Sequence, residues 1–367
     1  MKDLSNRSTQ RSIIQLGPSM SAQGGIASVL ASYASYQRGF EQLGYRLIFI
    51  ASCADAGRSG ILTFIAAWCR LILLSLRGRV NLVHIHSATR GSLLRKAIFA
   101  LTCIVLRKKY VMHIHNGAFA AYYKGLPWPA RVIVRLVLRD ATSVICLSTH
   151  AREQFIAMKL AMADKCQLVY NGIDDPLVES SNLPASSPAI TITFLGKLCE
   201  AKGIFTLLEA LALLPPTTPA YKLVVGGSGD EGVFRDWVGR SGLNERVTYL
   251  GWVDGDEKSR LLRNTDIFVL PSRSEGFSVA ILEAMAFGIA VVSCRIPGVI
   301  DAVRQGQEGL LVEPGEVECL RDAISYLLSD GAMRQRLGAS ARRRFLGQFT
   351  IQRMASRLDS VYEKAMQ

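Results

Sequence analysis

Glu275 and Glu283, with seven residues between them, are the pair best placed to do chemistry together. They sit in the stretch Leu270-Pro271-Ser272-Arg273-Ser274-Glu275-Gly276-Phe277-Ser278-Val279-Ala280-Ile281-Leu282-Glu283-Ala284-Met285-Ala286-Phe287-Gly288. An ionised carboxylate only accepts hydrogen bonds, and its two oxygens suit the vicinal hydroxyls of a ribose or a hexose. Between the carboxylates, the amides of Gly276, Phe277 and Ser278 fall at the start of an expected helix, where N–H donors favour an anion. The stretch therefore offers a phosphate seat with a carboxylate on either side.

The elements that must position it read directly from composition. Residues 267–270 are a short apolar run suited to a buried parallel strand, and Pro271 ends it. Ser278 is the expected N-cap of a helix over 279–287, Gly288 its stop, and 289–293 the next strand. The same alternation of strand and helix runs through the whole chain, which predicts parallel sheets covered on both faces. Expected strands in the first half are 12–16, 45–51, 80–86, 109–115, 141–147 and 166–170. Expected helices there are 26–43, 60–76, 93–106, 128–138 and 148–162. A segment rich in Ser, Pro and Asn, 178–188, reads as a linker. Beyond it come strands at 189–195, 222–226 and 247–250, helices at 204–214 and 257–263, a hairpin-like segment over 306–312, and helices at 317–328, 333–345 and 351–366.

In that setting Glu275 and Glu283 resemble the E-x7-E motif of retaining nucleotide-sugar glycosyltransferases, glycosyltransferase family 4. The similarity extends to Gly196-Lys197-Leu198…Lys202-Gly203, to Tyr170-Asn171-Gly172-Ile173-Asp174, and to His115 after the fourth strand. It implies an α/β chain of the GT-B fold: two Rossmann-like parallel-sheet domains facing across a cleft, with a C-terminal helix crossing back to the first. The domain scheme is 1–177 for the acceptor, 178–188 linker, 189–348 for the nucleotide sugar, and 349–367 packing back on the first domain. By resemblance Glu283 holds the ribose and Glu275 the hexose, and Lys197 and Lys202 neutralise the diphosphate. The amides of Gly276, Phe277 and Ser278 assist them, and Trp252 and Val253 lie near the base. The Gly24-Gly25 turn and His115 contact the transferred sugar. Glu275, His115 and Lys202 are the expected catalytic residues. Lys197 stands where the family has Arg, which keeps charge but loses bidentate geometry. Pro297-Gly298-Val299-Ile300-Asp301 replaces the family's Gly-Gly-x-x-Glu, a loop expected to touch little chemistry.

Two motifs point elsewhere. Gly227-Ser228-Gly229-Asp230-Glu231-Gly232 is a literal G-x-G-x-x-G, but no acid follows at the end of the next strand, as a dinucleotide site requires. Asp254-Gly255-Asp256 is a D-x-D that in other glycosyltransferases holds a divalent cation; here Asp256 reads as a helix cap. His84, His86, His113 and His115 lie on two neighbouring strands, yet no carboxylate or Cys stands at ligand spacing, so no metal and no cofactor are expected.

Charge bounds the partners. The chain has 43 Lys+Arg and 30 Asp+Glu; residues 1–184 hold 22 and 9 of them, and the remaining 21 and 21 cancel. A basic first half faces something anionic. With no nucleic-acid module visible, an anionic membrane surface is favoured over nucleic acid. The run 60–76, apolar nearly all round with Trp68 and flanking Arg58, Arg77 and Arg79, is too short to span. It reads either as a core helix or as one lying in a membrane interface. The eight cysteines are scattered without metal spacing, as in a reduced cytosolic protein. The polar N-terminus lacks the apolar core of a signal peptide. The expectation is a metal-independent, retaining hexosyltransferase on the inner face of a plasma membrane, acting in cell-surface polysaccharide assembly. Its donor is GDP-mannose or a UDP-hexose and its acceptor a lipid-linked saccharide. The alternatives are a GT-B sugar-nucleotide epimerase or a non-catalytic partner of the same fold.

Overall fold

The computed structural model describes residues 10–53, 60–88, 91–177 and 189–367. The expected linker, 178–188, and most of the polar N-terminal tail lie outside them. The chain forms two compact units, Met1–Asp174 with Ile351–Gln367, and Asp175–Thr350.

The first unit is a six-stranded sheet in the order β2-β1-β3-β4-β5-β6, and every pairing is parallel. Its strands are β1 (Arg11–Gly17), β2 (Tyr45–Ala51), β3 (Leu82–Ser87), β4 (Tyr110–Ile114), β5 (Ser143–Cys146) and β6 (Cys166–Leu168). β3, β4 and β5 are buried at every residue, as strands covered on both faces must be. The covering helices are α1 (Gly25–Ser35), α2 (Gln37–Gln42), α3 (Gly60–Leu76), α4 (Gly91–Val105), α5 (Phe119–Lys124), α6 (Trp128–Asp140) and α7 (Thr149–Ala157).

The single helix expected over 26–43 is broken at Tyr36. Ser32 and Ser35 hydroxyls bond back to the Ser28 and Ser32 carbonyls at 3.1 and 2.9 Å, a pattern that bends helices. The Tyr36 ring then folds over Gly39, where a Cβ would stand only 2.1 Å from it. α7 stops five residues short of expectation, and Lys159 beyond it has left-handed φ 53. The short α5 was not foreseen.

The second unit repeats the plan with strand order β12-β11-β10-β7-β8-β9. Its strands are β7 (Ile190–Leu195), β8 (Tyr221–Gly226), β9 (Val247–Tyr249), β10 (Ile267–Leu270), β11 (Ala290–Cys294) and β12 (Gly309–Val312). The hairpin-like reading of 306–312 is corrected: residues 309–312 are the last strand itself, parallel to β11. The helices are α8 (Ile204–Ala212), α9 (Glu231–Arg240), α10 (Gly255–Arg263), α11 (Val279–Ala286), α12 (Val317–Ser329) and α13 (Gly331–Gln348). α14 (Ile351–Met366) belongs to the first unit, where it buries Met354, Leu358, Val361 and Tyr362.

Both sheets have a switch point where the strand order turns back, between β1 and β3 in the first unit and between β7 and β10 in the second. In open parallel sheets the crevice beyond the carboxyl ends of the strands at such a point is the place where ligands bind.

Candidate active site

In the second unit the switch point carries the expected donor residues. β10 ends at Leu270, and the Pro271–Ser278 turn leads to α11, whose N-cap is Ser278 with its hydroxyl accepting from Ile281 N–H at 3.4 Å. Glu275 in that turn is only 9% exposed. Its Oε1 accepts from Lys202 Nζ at 2.6 Å and from Ser272 Oγ at 2.7 Å. Lys202 stands on a 3-10 turn, Glu200–Lys202, after β7.

Gly203 makes that meeting possible. It adopts φ 73, and a Cβ on it would stand 2.1 Å from the Pro271 carbonyl oxygen. The Arg273 amide donates to the Ala201 carbonyl at 3.0 Å, tying the two turns together. Lys197, one turn earlier, is exposed and has no ion pair among the described residues. It follows Gly196, against whose carbonyl Gly227 packs so closely that a Cβ there would meet the oxygen at 1.7 Å. The G-x-G-x-x-G thus serves packing against the Lys197 turn. The helix start that a dinucleotide phosphate would need is capped by Asp230, which accepts from Val233 N–H at 3.0 Å.

Glu283, on α11, pairs with Lys258 of α10, a residue the sequence reading passed over. α10 begins two residues earlier than expected, with Asp254 at its N-cap and Asp256 in its first turn, so Asp256 is not the cap. Asp254 instead accepts from the Trp252 indole N–H at 3.2 Å. Trp252 is 39% exposed, whereas Val253 is buried at the Gly226 backbone. The Pro297-Gly298 loop bears on the site more than expected: Gly298, at φ 86, lies against the Gly276 carbonyl, where a Cβ would come within 2.3 Å. Phe277 is buried, with its ring 5.4 Å from Phe349. Arg342 and Arg344 of α13 point inward. Arg342 grips Asp175 with two bonds of 2.7 Å, and Arg344 donates to the Asp301 and Ala302 carbonyls.

In the first unit, α1 begins at Gly25 behind Gly24, which has φ 131. No side chain caps this helix start, and the space where either glycine would carry a Cβ is open. His115, just past β4, lies in a row of imidazoles. Its Nε2 is 3.0 Å from His86 Nδ1, and its ring stacks 4.0 Å from that of His113. Burial pushes His84 and His115 down to about 3, and lowers His86 and His113 well below the ordinary histidine value.

Ligand atoms of His84, His86 and His113 fall within 4.8 Å of one another, a closeness that strand spacing alone did not reveal. Five of those three rings' six nitrogens are already engaged in hydrogen bonds to one another, to His115, to Gln15 and to Tyr362. A second feature absent from the sequence reading is Lys96 on α4. It is 3% exposed and bonded to Ser52 Oγ, and burial lowers it to about 7.

Two family models match the chain: the glycosyl transferase 4-like domain over residues 10–172 and glycosyl transferases group 1 over residues 179–344. Similar curated proteins include an uncharacterized glycosyltransferase of Methanocaldococcus jannaschii, 26% identical over 72% of this chain and 71% of that protein. Another is the phosphatidyl-myo-inositol mannosyltransferase of Mycobacterium leprae, 29% identical over 78% of this chain and 74% of that one. Among solved structures, Anabaena HepE in complex with UDP and glucose superposes with a TM-score of 0.74 at 20% identity, covering 95% of this chain and 98% of that chain. Two parallel six-stranded α/β units with these relatives define a glycosyltransferase of the GT-B fold. Within that class the chain belongs to the glycosyltransferase 4 type, a family with members in polysaccharide and glycolipid biosynthesis.

Proposed function

We propose that the chain transfers a hexose, with retention and without a metal ion, from a nucleoside-diphosphate sugar to a lipid-linked saccharide at an anionic membrane surface. The observation that carries the donor half is the Lys202–Glu275 pair at the switch point of the second unit. Glu275 Oε1 is taken by Lys202 and Ser272, which turns the carboxylate and leaves its other oxygen for a hexose hydroxyl. Lys202, with exposed Lys197, supplies positive charge where the diphosphate leaves, and such preorganised charge acts most strongly on the transition state. Glu283, held by Lys258, receives the ribose hydroxyls, and Trp252 lies near the base. Gly24, Gly25 and His115 contact the transferred sugar. The acceptor attacks on the face from which the diphosphate departs, and a phosphate oxygen takes its proton. HepE's complex with UDP and glucose and the mannosyltransferase name of the mycobacterial relative support a sugar-nucleotide donor.

The membrane half rests on the outer face of the first unit. Side by side, α3, α4 and α6 cover one side of the sheet. α3 touches α4 through Phe64 and Phe99, rings 5.1 Å apart, and through Trp68 Nε1 donating to Thr102 Oγ1 at 2.8 Å. Only Ala67, Leu71 and Ser75 of α3 are buried, so the core-helix reading holds for one stripe alone. Outward stand Ile61 and Leu62 of α3 at 72% and 68% exposure, Val105 at 79% and Trp128 at 71%. α3, the turn after it and α6 also carry exposed Arg70, Arg77, Arg131 and Arg135. Exposed apolar side chains and exposed arginines on the same helices suit an anionic lipid interface, and among the described residues no helix is long and apolar enough to cross a membrane.

The test is acceptor-dependent release of nucleoside diphosphate, after thermal-shift screening with UDP- and GDP-sugars. Lys202→Ala and Glu275→Gln should each lower kcat/KM by roughly 10²–10³, the scale for losing one preorganised charge or hydrogen bond, with the fold intact. Near-native turnover in either variant refutes the assignment. Release without acceptor, accompanied by a change in the sugar itself, would indicate an epimerase.

A further inference from the structure

We propose that Gln15 and Tyr362 are positioning residues that fix the tautomer of His115, so that it offers a bare Nδ1, a hydrogen-bond acceptor, to a hydroxyl of the transferred sugar. The functional half rests on the assignment of His115 to the sugar made above; the tautomer itself does not.

Each proton along a connected set of buried contacts can be assigned in turn. Gln15 is fully buried in the middle of β1, beside His84 of β3 in register. Its Oε1 lies 2.9 Å from His86 Nε2. An amide oxygen has no proton to give, so His86 carries its proton on Nε2. Burial among other rings keeps His86 neutral, so its Nδ1 is a lone pair. The 3.0 Å contact from that Nδ1 to His115 Nε2 is a hydrogen bond only if His115 donates. His115, neutral as well, is then bare at Nδ1, for which the described residues provide no partner.

The other arm runs from the same amide. Gln15 Nε2 donates to Tyr362 Oη at 3.0 Å. Tyr362 has one proton and gives it to His84 Nδ1 at 2.7 Å. His84 therefore donates from Nε2 to His113 Nδ1 at 3.1 Å. The arm ends on His113 Nε2, which is buried and without a hydrogen-bond partner. One amide orientation thus sets the sense of every bond in both arms, and reversing Gln15 would reverse them all. Tyr362 carries that orientation from the amide to His84, since its hydroxyl accepts from Gln15 Nε2 and donates to His84 Nδ1. It comes from α14 and is fully buried, its ring edge-on to Tyr45 at 5.4 Å. The C-terminal helix therefore acts on His115 through a chain of neutral groups within one unit. A metal ion on His84, His86 and His113 would have to displace these bonds.

The experiment is nitrogen-15 NMR of the full chain labelled at its five histidines, read by long-range proton–nitrogen correlations. Signals are assigned by His150→Gln and His115→Gln. Expected in the unsubstituted protein is a single Nε2–H tautomer at His115, His86 and His84. Gln15→Glu, whose carboxylate accepts from both neighbours, should leave His86 and His115 unchanged. It should reverse the His84–His113 arm, because Tyr362 would then donate to the carboxylate. Gln15→Leu should leave His115 with mixed tautomers and lower kcat about tenfold while changing donor KM little. A single Nδ1–H tautomer at His115, an unaltered His84 in Gln15→Glu, or a shift of all four rings on adding zinc alone would each overturn the proposal. Unchanged turnover in His115→Ala, with the tautomers as stated, would instead remove the sugar contact and with it the functional half.

Discussion

Gly203 lies against the Pro271 carbonyl at a distance that admits no side chain: a Cβ there would meet the oxygen at 2.1 Å. This contact joins the turn after β7 to the turn after β10, and so sets Lys202 beside Glu275.

Gly203→Ala should cost about 2–4 kcal/mol, from left-handed strain of about 1–2 kcal/mol together with a forced backbone shift. Gly242→Ala is the matched control. Gly242 has φ 66, but nothing lies within 4 Å of its Cβ position. The control should lose only the strain component and keep its activity, whereas Gly203→Ala should lose transfer beyond its loss of stability. Urea midpoints and donor kinetics on both variants check this; equal losses in the two would remove the contact from the account.

Glu283 and Lys258 make a different claim, because ribose hydroxyls keep their contacts throughout the reaction. Uniform binding of that kind changes KM and leaves kcat alone. Glu283→Gln should raise donor KM about tenfold, equivalent to about 1.4 kcal/mol. Lys258→Met, which releases Glu283, should raise it a few-fold. A fall in kcat at constant KM would place Glu283 at the reacting centre instead.

The residues that carried this reading were legible because they are local. Ser278, Glu283 and Gly288 mark a cap, a helix and a stop within one stretch, and the fold repeats that unit. What escaped the sequence lies between elements distant in the chain. Lys258 meets Glu283 only because α10 packs beside α11. The role of Gly203 depends on where β10 ends, and Gln15 meets Tyr362 across 347 positions. Period-two alternation correctly puts His113 and His115 on one face, but cannot say that the next strand's histidines stand within bonding distance. The helix expected over 26–43 overran Tyr36 because its apolar periodicity continues, while the break comes from serine back-bonding and a ring folded over Gly39. Acceptors of Arg342 and Arg344, namely Asp175 and the Asp301 and Ala302 carbonyls, are likewise remote in sequence.

The imidazole row predicts how stability varies with pH. His84 and His115 are lowered to about 3 by burial, and His86 and His113 are lowered too; Lys96, packed near His86, adds to its lowering. In the unfolded chain each takes up a proton near the ordinary value of about 6.5. Between those two limits the unfolded state binds protons that the folded state excludes, so stability falls as pH falls. The loss approaches about 1.4 kcal/mol per pH unit for each histidine, and the contribution is flat above about pH 6.5. Urea unfolding followed by Tyr and Trp emission should show a gentle decline from pH 8 to 7, set by Lys96, which burial lowers to about 7, and a steeper decline from the histidines toward pH 5. A midpoint that does not move between pH 7 and 5 would mean that the row carries charge in the folded protein.

The outer face of α3, α4 and α6 predicts a lipid preference that charge alone would not give. Desolvated apolar area contributes about 25 cal/mol per Å², and each Lys or Arg at an anionic surface adds about 1 kcal/mol. Binding to vesicles of phosphatidylglycerol and phosphatidylcholine should therefore weaken, but not vanish, when salt is raised. Leu62→Glu with Ile61→Glu should abolish the salt-resistant part. Both side chains point to solvent, so the fold and thermal stability should stay unchanged. Arg77→Gln with Arg131→Gln should instead remove the salt-sensitive part and leave the remainder. Vesicle co-sedimentation at two salt concentrations separates these contributions. If the glutamate pair binds like the unsubstituted chain, the apolar face does not enter the bilayer, and the acceptor must reach the protein by another route.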